Sequence, residues 1–482
     1  MTGSPMPLPC SADAPLMVDA AGWRAAGASL AAGARVLVAV WATGDDAGSR
    51  VHLATRRPDG SDLAVIALRA EDGTYPSIGQ YHPGAILMER ALQDASGLRA
   101  EGLPDPRPWL DHERDFAFLP AEGEGLHRIP VGPIHAGTIE PGHFRFTVNG
   151  ETIVRLEARL GYTRKGTLGL MQGSAPDAAV RLAGRVSGDS TVAYAWAFSR
   201  AVEAAREVAV PPRASALRGV MAELERLANH AGDFGAICND AGFPLINAHA
   251  GALRETILRQ ADACFGHRLM MDRIVPGGVA ADLAPVAAAS LRAELPAWLG
   301  RFERLVELYG KTASLQDRVV GAGRLAPDLA RRLGCGGYVG RAAGQDFDAR
   351  RDAPYPPYDR HAPAVPSLSA GDVDARARIR IAEIRASAAL IGDMLDALPE
   401  GGIRAALPES GGEAFGCALA EGFRGDIFAA VRLCGPVVAD AFLRDPSWFL
   451  WPALEAAIEG NIVADFPLCN KSFNAAYSGC DL

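Results

Sequence analysis

Lysine is nearly missing from this 482-residue chain: only Lys165, Lys311 and Lys471 occur among 48 basic residues. Arginine supplies the rest, which reads as genome composition rather than phosphate recognition. With a net charge of -9 the balance argues against a general nucleic-acid binder. No Cys-x-x-Cys pair exists either, although eight cysteines (Cys10, Cys238, Cys264, Cys335, Cys417, Cys434, Cys469 and Cys480) are dispersed along the chain. That spacing predicts reduced, mostly buried thiols and neither a disulfide framework nor an iron–sulfur site. No apolar run approaches the roughly 20 residues needed to span a bilayer. Residues 1–12 lack the basic start and apolar run of a secretory leader, so none is expected. A membrane role would have to come through partner subunits. Walker loops, a G-x-G-x-x-G after a strand and internal repeats are also missing, so no independent nucleotide site is expected.

What is present is core material, 49% hydrophobic residues, enough for roughly two or three domains on the length prior. Residues 34–115 read as a small α/β module. An apolar β-prone run at 35–41 is followed by runs at 50–55 and 63–69 flanking Pro58-Asp59-Gly60-Ser61, whose composition is that of a tight hairpin turn. A helix over 82–96 suits Pro83 at its first turn and Gly97 at its end. The Pro-rich 104–109 begins a linker. The expected division is therefore a module with linker at 1–120 and a mainly helical domain with a small antiparallel β part at 121–482, an α+β chain.

The second domain opens with Pro130-Val131-Gly132-Pro133-Ile134-His135-Ala136-Gly137-Thr138-Ile139-Glu140-Pro141-Gly142-His143-Phe144-Arg145-Phe146. Runs 144–148 and 152–158 alternate around Asn149-Gly150, a strong hairpin signal. The turn before it gathers His135, Glu140, His143 and Arg145. Long helices are expected at 191–208, 213–238, 248–265, 283–309 and 369–398. On the second of these, Glu223, Arg226 and His230 fall at helical spacing beside an apolar stripe; a Glu223 to Arg226 ion pair could order the bundle or serve the site. The Gly-, Pro- and Arg-rich stretch 333–358 reads as loop. A strand pair at 415–419 and 427–434 and a short helix at 451–459 follow.

Taken together, the 130–146 motif, Leu160-Gly161-Tyr162-Thr163-Arg164-Lys165-Gly166, Arg185-Val186-Ser187-Gly188-Asp189-Ser190, Glu223-Leu224-Glu225-Arg226-Leu227-Ala228-Asn229-His230 and Asp465-Phe466-Pro467-Leu468 near the end resemble the large subunit of energy-converting nickel-iron hydrogenases. They are similar also to the quinone-site subunit of respiratory complex I. The likeness covers nearly the whole chain, and the first 120 residues resemble the small complex I subunit fused to the large one in formate-hydrogenlyase-type complexes. In such hydrogenases an R-x-C-G-x-C turn and a D-P-C-x-x-C ending hold nickel through four thiolates. Here the corresponding positions are Ser187, Ser190, Ala476 and Gly479. Hydroxyls are poor substitutes for soft thiolates and alanine or glycine offers no ligand, so no metal is expected.

The resemblance implies further roles. Glu140 is the candidate proton relay, with burial expected to raise its pKa. His135, His143, Arg145, Arg185, Ser187, Asp189, Ser190, Glu223, Arg226, His230, Arg341, Lys471 and Asp481 are candidates to line the cavity, Arg341 as the arginine brought toward the centre. No cofactor is expected on this chain; an iron–sulfur cluster is expected in a partner small subunit, membrane-embedded antiporter-like subunits as further partners, and a quinone as a candidate acceptor. The implied place is cytoplasmic and peripheral on the inner membrane. A metal-free oxidoreductase subunit is the leading expectation. A non-catalytic coupling subunit of an ion-translocating complex is the alternative, and an active nickel-iron hydrogenase ranks last. Hydrogenase large subunits often lose a C-terminal extension once the metal is loaded; with six residues after Ala476, none is expected here. Residues 477–482 are expected to be buried beside the 185–190 turn, with Asp189, Ser190, Lys471 and Asp481 facing the space between.

Overall fold

The β-prone runs near the start form a sheet in which Val36–Asp45, Gly48–Arg56 and Ala64–Arg69 are antiparallel neighbours and Leu16–Val18 joins the last in parallel. The computed structural model describes residues 10–11, 14–45, 48–137, 139–409 and 411–482. Helix Ile86–Ser96 packs against the sheet, entered through Pro83–Ala85. It ends at Gly97, whose φ of 73° is a left-handed geometry that glycine adopts without a Cβ penalty. The module does not close on itself. Trp23, Leu37, Tyr75 and Leu92 share one continuous core with Phe144, Trp448, Trp451 and Phe473, so its inner face is completed by apolar side chains from the second part of the chain.

The helical body consists of Thr191–Ala205, Pro212–Asp240, Pro244–Phe265, Pro285–Lys311 and Val373–Asp396. Pro212–Asp240 is its axis, packed between Pro244–Phe265 and Val373–Asp396. Every residue from 214 to 231 on it is buried. Apolar contacts account for one stripe only; the polar side chains on the other faces must find partners inside the protein, because an unpaired buried charge is costly. That requirement builds much of the site.

Two expectations need correction. The 333–358 stretch contains short helices Gly337–Ala342 and Ala349–Asp352, and its Arg341, Asp348 and Arg350 are fully buried. The carboxyl groups that make this possible stand at 223, 383 and 421, far away in sequence. The late strand pair is a triplet, Glu413–Gly422, Gly425–Cys434 and Val437–Arg444. Asp440 and Arg444 hide the third strand's pattern, and both pair across the sheet, with Arg432 and Asp426.

Candidate functional site

The 187–190 turn and the C-terminal tail come together around one side chain, Arg424. Ser187 begins the turn in an extended conformation and Gly188–Ser190 is a single helical turn leading into Thr191–Ala205. Asp189 is its centre: Oδ1 accepts Ser187 Oγ at 2.6 Å and Ser190 Oγ at 3.2 Å. The Arg424 guanidinium grips the same carboxylate at 2.9 Å through Nη1 and 2.6 Å through Nη2, and also donates to Ser190 Oγ at 3.1 Å. Its Nε donates to the Asn474 carbonyl at 2.5 Å. Burial alone would raise the Asp189 carboxyl; the Arg424 charge and these hydrogen bonds instead hold it down at about 2.

On the tail side, the Ala476 N–H donates to Ser447 Oγ at 2.8 Å and its carbonyl accepts Trp451 Nε1 at 3.1 Å. A Cβ built on Gly479 would stand 2.6 Å from Asp445 Cγ. That carboxylate is fixed by the Tyr194 hydroxyl at 2.5 Å and by Ser447 N–H at 2.7 Å. So the four positions compared with nickel ligands carry two hydroxyls aimed at a carboxylate, a methyl, and a glycine whose side-chain space is filled. This set does not fit the soft, four-thiolate site of nickel.

The 132–143 loop lies against the tail. Glu140 Oε2 accepts the Ser478 N–H at 3.0 Å, and a Cβ on Gly142 would meet the Tyr477 ring at 2.5 Å. Around this junction stand buried polar atoms without partners: Nε2 of His135, Nε2 of His143, Nε of Arg145 and Oγ of Ser478. His135 lies 6.3 Å from the Tyr477 ring, and the Arg145 guanidinium sits 4.1 Å from the centre of Phe118. Desolvation lowers both histidines, leaving them neutral at pH 7 with one donor each. Thr138 lies outside the described residues.

Glu223, Arg226, His230 and Arg341 belong to a separate, fully enclosed cluster. Arg341 pairs with Glu383 at 2.7 Å and with Asp348 and Glu421 at 3.2 Å each. Glu223 is bound by Arg350 at 2.9 Å, more closely than by Arg226 at 3.4 Å, and it also accepts Tyr358 and Ser387. Arg226 directs its guanidinium to the carbonyls of Glu421 and Gly422. His230 Nε2 lies 2.8 Å from Glu383; burial lowers the imidazole, so Nε2 carries the proton and donates. Three guanidinium groups thus meet four carboxyls. Burial, reinforced by the Asp348 charge, pushes Glu421 up to about 8, so it is protonated at neutral pH and the charges balance.

Two candidates point elsewhere. Arg185 leaves the turn to pair with Asp272 on the surface at 2.7 Å. Asp481 turns from the 187–190 segment toward Gly161 N–H, Thr163 N–H and Thr163 Oγ1, at 2.8, 2.9 and 2.6 Å. Lys471 is half-buried on Phe466–Phe473 and makes no ion pair among the described residues.

Residues 240–413 match the family of the respiratory-chain NADH dehydrogenase, 49 Kd subunit. An NADH-quinone oxidoreductase subunit of Roseiflexus sp. (strain RS-1) is 34% identical over 281 residues, covering 57% of this chain and 73% of the relative. The chain belongs to the 49 kDa-subunit family. Over a longer stretch, 446 residues, it is 29% identical to formate hydrogenlyase subunit 5 of Escherichia coli (strain K12), covering 86% of this chain and 78% of that one. Carbon monoxide-induced hydrogenase of Rhodospirillum rubrum is 29% identical and covered over 98% of its length, by 73% of this chain. A solved chain of the membrane-bound sulfane sulfur reductase, an archaeal respiratory membrane complex, shares the fold with a TM-score of 0.69 at 23% identity, over 74% of this chain and 99% of that one.

In this 49 kDa-type chain, the residues that sequence reasoning missed are Arg424, Glu383, Glu421, Asp348, Arg350 and Asp445. Arg424 follows Glu421-Gly422-Phe423 in a tight hairpin, where an arginine reads as solvated. The signal available was its position between two apolar strands, too weak to separate it from the many other loop arginines.

Proposed function

We propose that the chain is a subunit of a membrane-associated, complex I-related oxidoreductase, holds no nickel, and lines an acceptor cavity beside an iron–sulfur partner subunit. The observation that carries this reading is the junction of the 132–143 loop with the tail, where Glu140 is tethered to Ser478 and the buried polar atoms of His135, His143 and Ser478 are left without partners. Buried polar groups are ordinarily satisfied, so a cluster of orphans at one seam is where a polar ligand completes the structure. A quinone fits the chemistry. Its carbonyl oxygens accept hydrogen bonds from donors such as the His135 imidazole N–H and the Ser478 hydroxyl, while His143, whose Nδ1–H is directed at the Gly132 carbonyl at 3.3 Å, offers Nε2 as an acceptor for the O–H of the reduced product. Reduction takes up two electrons, from the partner's cluster, and two protons, delivered through the loop with Glu140 as relay. No helix among the described residues is long and apolar enough to cross a membrane, so attachment to the cytoplasmic face of the inner membrane would run through partner subunits of the antiporter-like kind.

The test is to isolate the complex carrying this chain, measure its metals, and assay reduction of a short-chain quinone with Glu140→Gln and His143→Ala. Assembled complexes that lose at least about tenfold in rate, the scale of general acid–base catalysis and below, support the reading. Assembled variants with full activity, or a wild-type complex that reduces no quinone analogue, remove it and leave the coupling-subunit alternative. One nickel per chain would remove the metal-free part.

A further inference from the structure

Arg424 is delivered to the junction of turn and tail by a rigid support. It sits in the two-residue connection between Gly422 and Gly425, the last pair of the hairpin. From behind, Arg226 donates to the carbonyls of Glu421 at 2.8 Å and Gly422 at 2.9 Å. Gly337, at φ 59°, passes so close that a Cβ on it would fall 1.8 Å from the Arg424 carbonyl oxygen, so only glycine permits the approach. The guanidinium, 5% exposed, then makes its four hydrogen bonds forward, three to Asp189 and Ser190 and one to Asn474 O. Asn474 is itself fixed: its amide nitrogen donates to both oxygens of Asp233 at 3.0 Å, and Asp233 pairs with Arg380 at 3.3 Å.

We propose that Arg424 does here what a shared metal ion does in a two-segment metal site: it is the permanent cation that joins the 187–190 turn to the C-terminal tail. The proposal rests on the reading that these positions hold no nickel. A metal joins two segments only after loading and after its ligands lose their protons. A guanidinium is always charged and meets a carboxylate with two parallel hydrogen bonds, so the tail docks as part of folding. Three acceptors, the Asp189 carboxylate, the Ser190 hydroxyl and the Asn474 carbonyl, suit that fork and not a lysine ammonium. Arg424 is thus a positioning residue for the tail that carries Ser478 to Glu140.

The experiment uses the assembled complex with Arg424→Ala, Arg424→Lys and Asp189→Asn, and reads hydrogen exchange of the amides at 474–482, with nickel measured in parallel. Arg424→Ala is expected to speed exchange across the tail by about tenfold or more while the helix Pro212–Asp240 stays protected, since local opening is governed by local contacts. Millimolar guanidinium restores protection, matched sodium chloride does not, and Arg424→Lys falls between. A folded Arg424→Ala variant with unchanged tail exchange, or one whose exchange rises evenly along the chain, overturns the proposal. If Arg424→Ala does not accumulate, Asp189→Asn decides: it keeps the shape and removes the charge pair, and unchanged tail protection in it overturns the proposal. Nickel at one per chain would overturn the metal-free reading, whatever the exchange result shows.

Discussion

The charge cluster around helix Pro212–Asp240 and the junction of the 132–143 loop with the tail are both polar regions inside one chain, and they are built on opposite terms. In the cluster, carboxyls and guanidiniums are matched nearly one for one, with Glu421 protonated to complete the balance; of the three buried atoms there that make no hydrogen bond, Arg226 Nε and Arg341 Nη2 still face Glu223 at 3.4 Å and Glu383 at 2.7 Å, and His230 Nδ1 faces no charge partner. At the junction, Glu140 holds one backbone N–H and the neighbouring histidines and serine leave buried atoms unmatched. Closed networks specify packing; open ones are where a ligand has something to add. On this contrast Glu223, Arg226, His230 and Arg341 belong to a closed network, and His135, Glu140 and His143 are the residues on which the proposed function rests, although one resemblance nominated them all.

Breaking the closed network should cost most. Glu383→Gln leaves Arg341 with one carboxylate fewer in a fully enclosed site, and removing one partner of a buried pair costs roughly 3–5 kcal/mol. Denaturant unfolding of the variant, or failure to accumulate, checks this. Next comes Gly479→Cys, whose Cβ would collide with Asp445; overpacking of this kind costs roughly 1–3 kcal/mol. Even the quadruple Ser187→Cys, Ser190→Cys, Ala476→Cys, Gly479→Cys chain should take up no stoichiometric nickel by elemental analysis while Arg424 and Asp445 occupy the space.

Glu421→Gln is the sharper comparison, because it sits in the same cluster yet should cost under about 1 kcal/mol at pH 7, the amide replacing a carboxyl that is already protonated. Its signature is in pH. A folded value of about 8 against an ordinary 4.5 means that the unfolded chain ionises first, so stability falls as pH rises from about 4.5 to 8. The variant should flatten that slope. Asp189 behaves in the opposite sense. Its folded value of about 2 lies below the ordinary 3.8, so the contribution of its pair with Arg424 is complete above pH 3.8 and is lost as pH falls through 2. Asp189→Asn should erase that acid limb. Smallest in stability, within about 0.5 kcal/mol, is Glu140→Gln in the partly exposed loop; its effect belongs to turnover. A large loss of stability from Glu140→Gln, or none from Glu383→Gln, would break the comparison.

Local chemistry made much of this legible in advance. Asn149-Gly150 marked its hairpin, Pro83 and Gly97 bracketed their helix, and five long helices followed the 3.6-residue period to within a few residues, because each signal depends on neighbours in the chain. The loop of His135, Glu140 and His143 was visible for the same reason. By itself the sequence also determined that the compared positions carry Ser187, Ser190, Ala476 and Gly479, since a residue's donor atoms do not depend on folding. Tertiary structure decided the rest. Whether Arg341 is solvated or buried turns on Glu383 and Glu421; whether Asp481 faces the turn or Thr163 turns on where the tail docks; and Arg424 became the central cation only when the hairpin that carries it met a turn and a tail from both halves of the domain. Electrostatic energy depends on distance in space, and these distances are set by packing between segments that no local pattern connects.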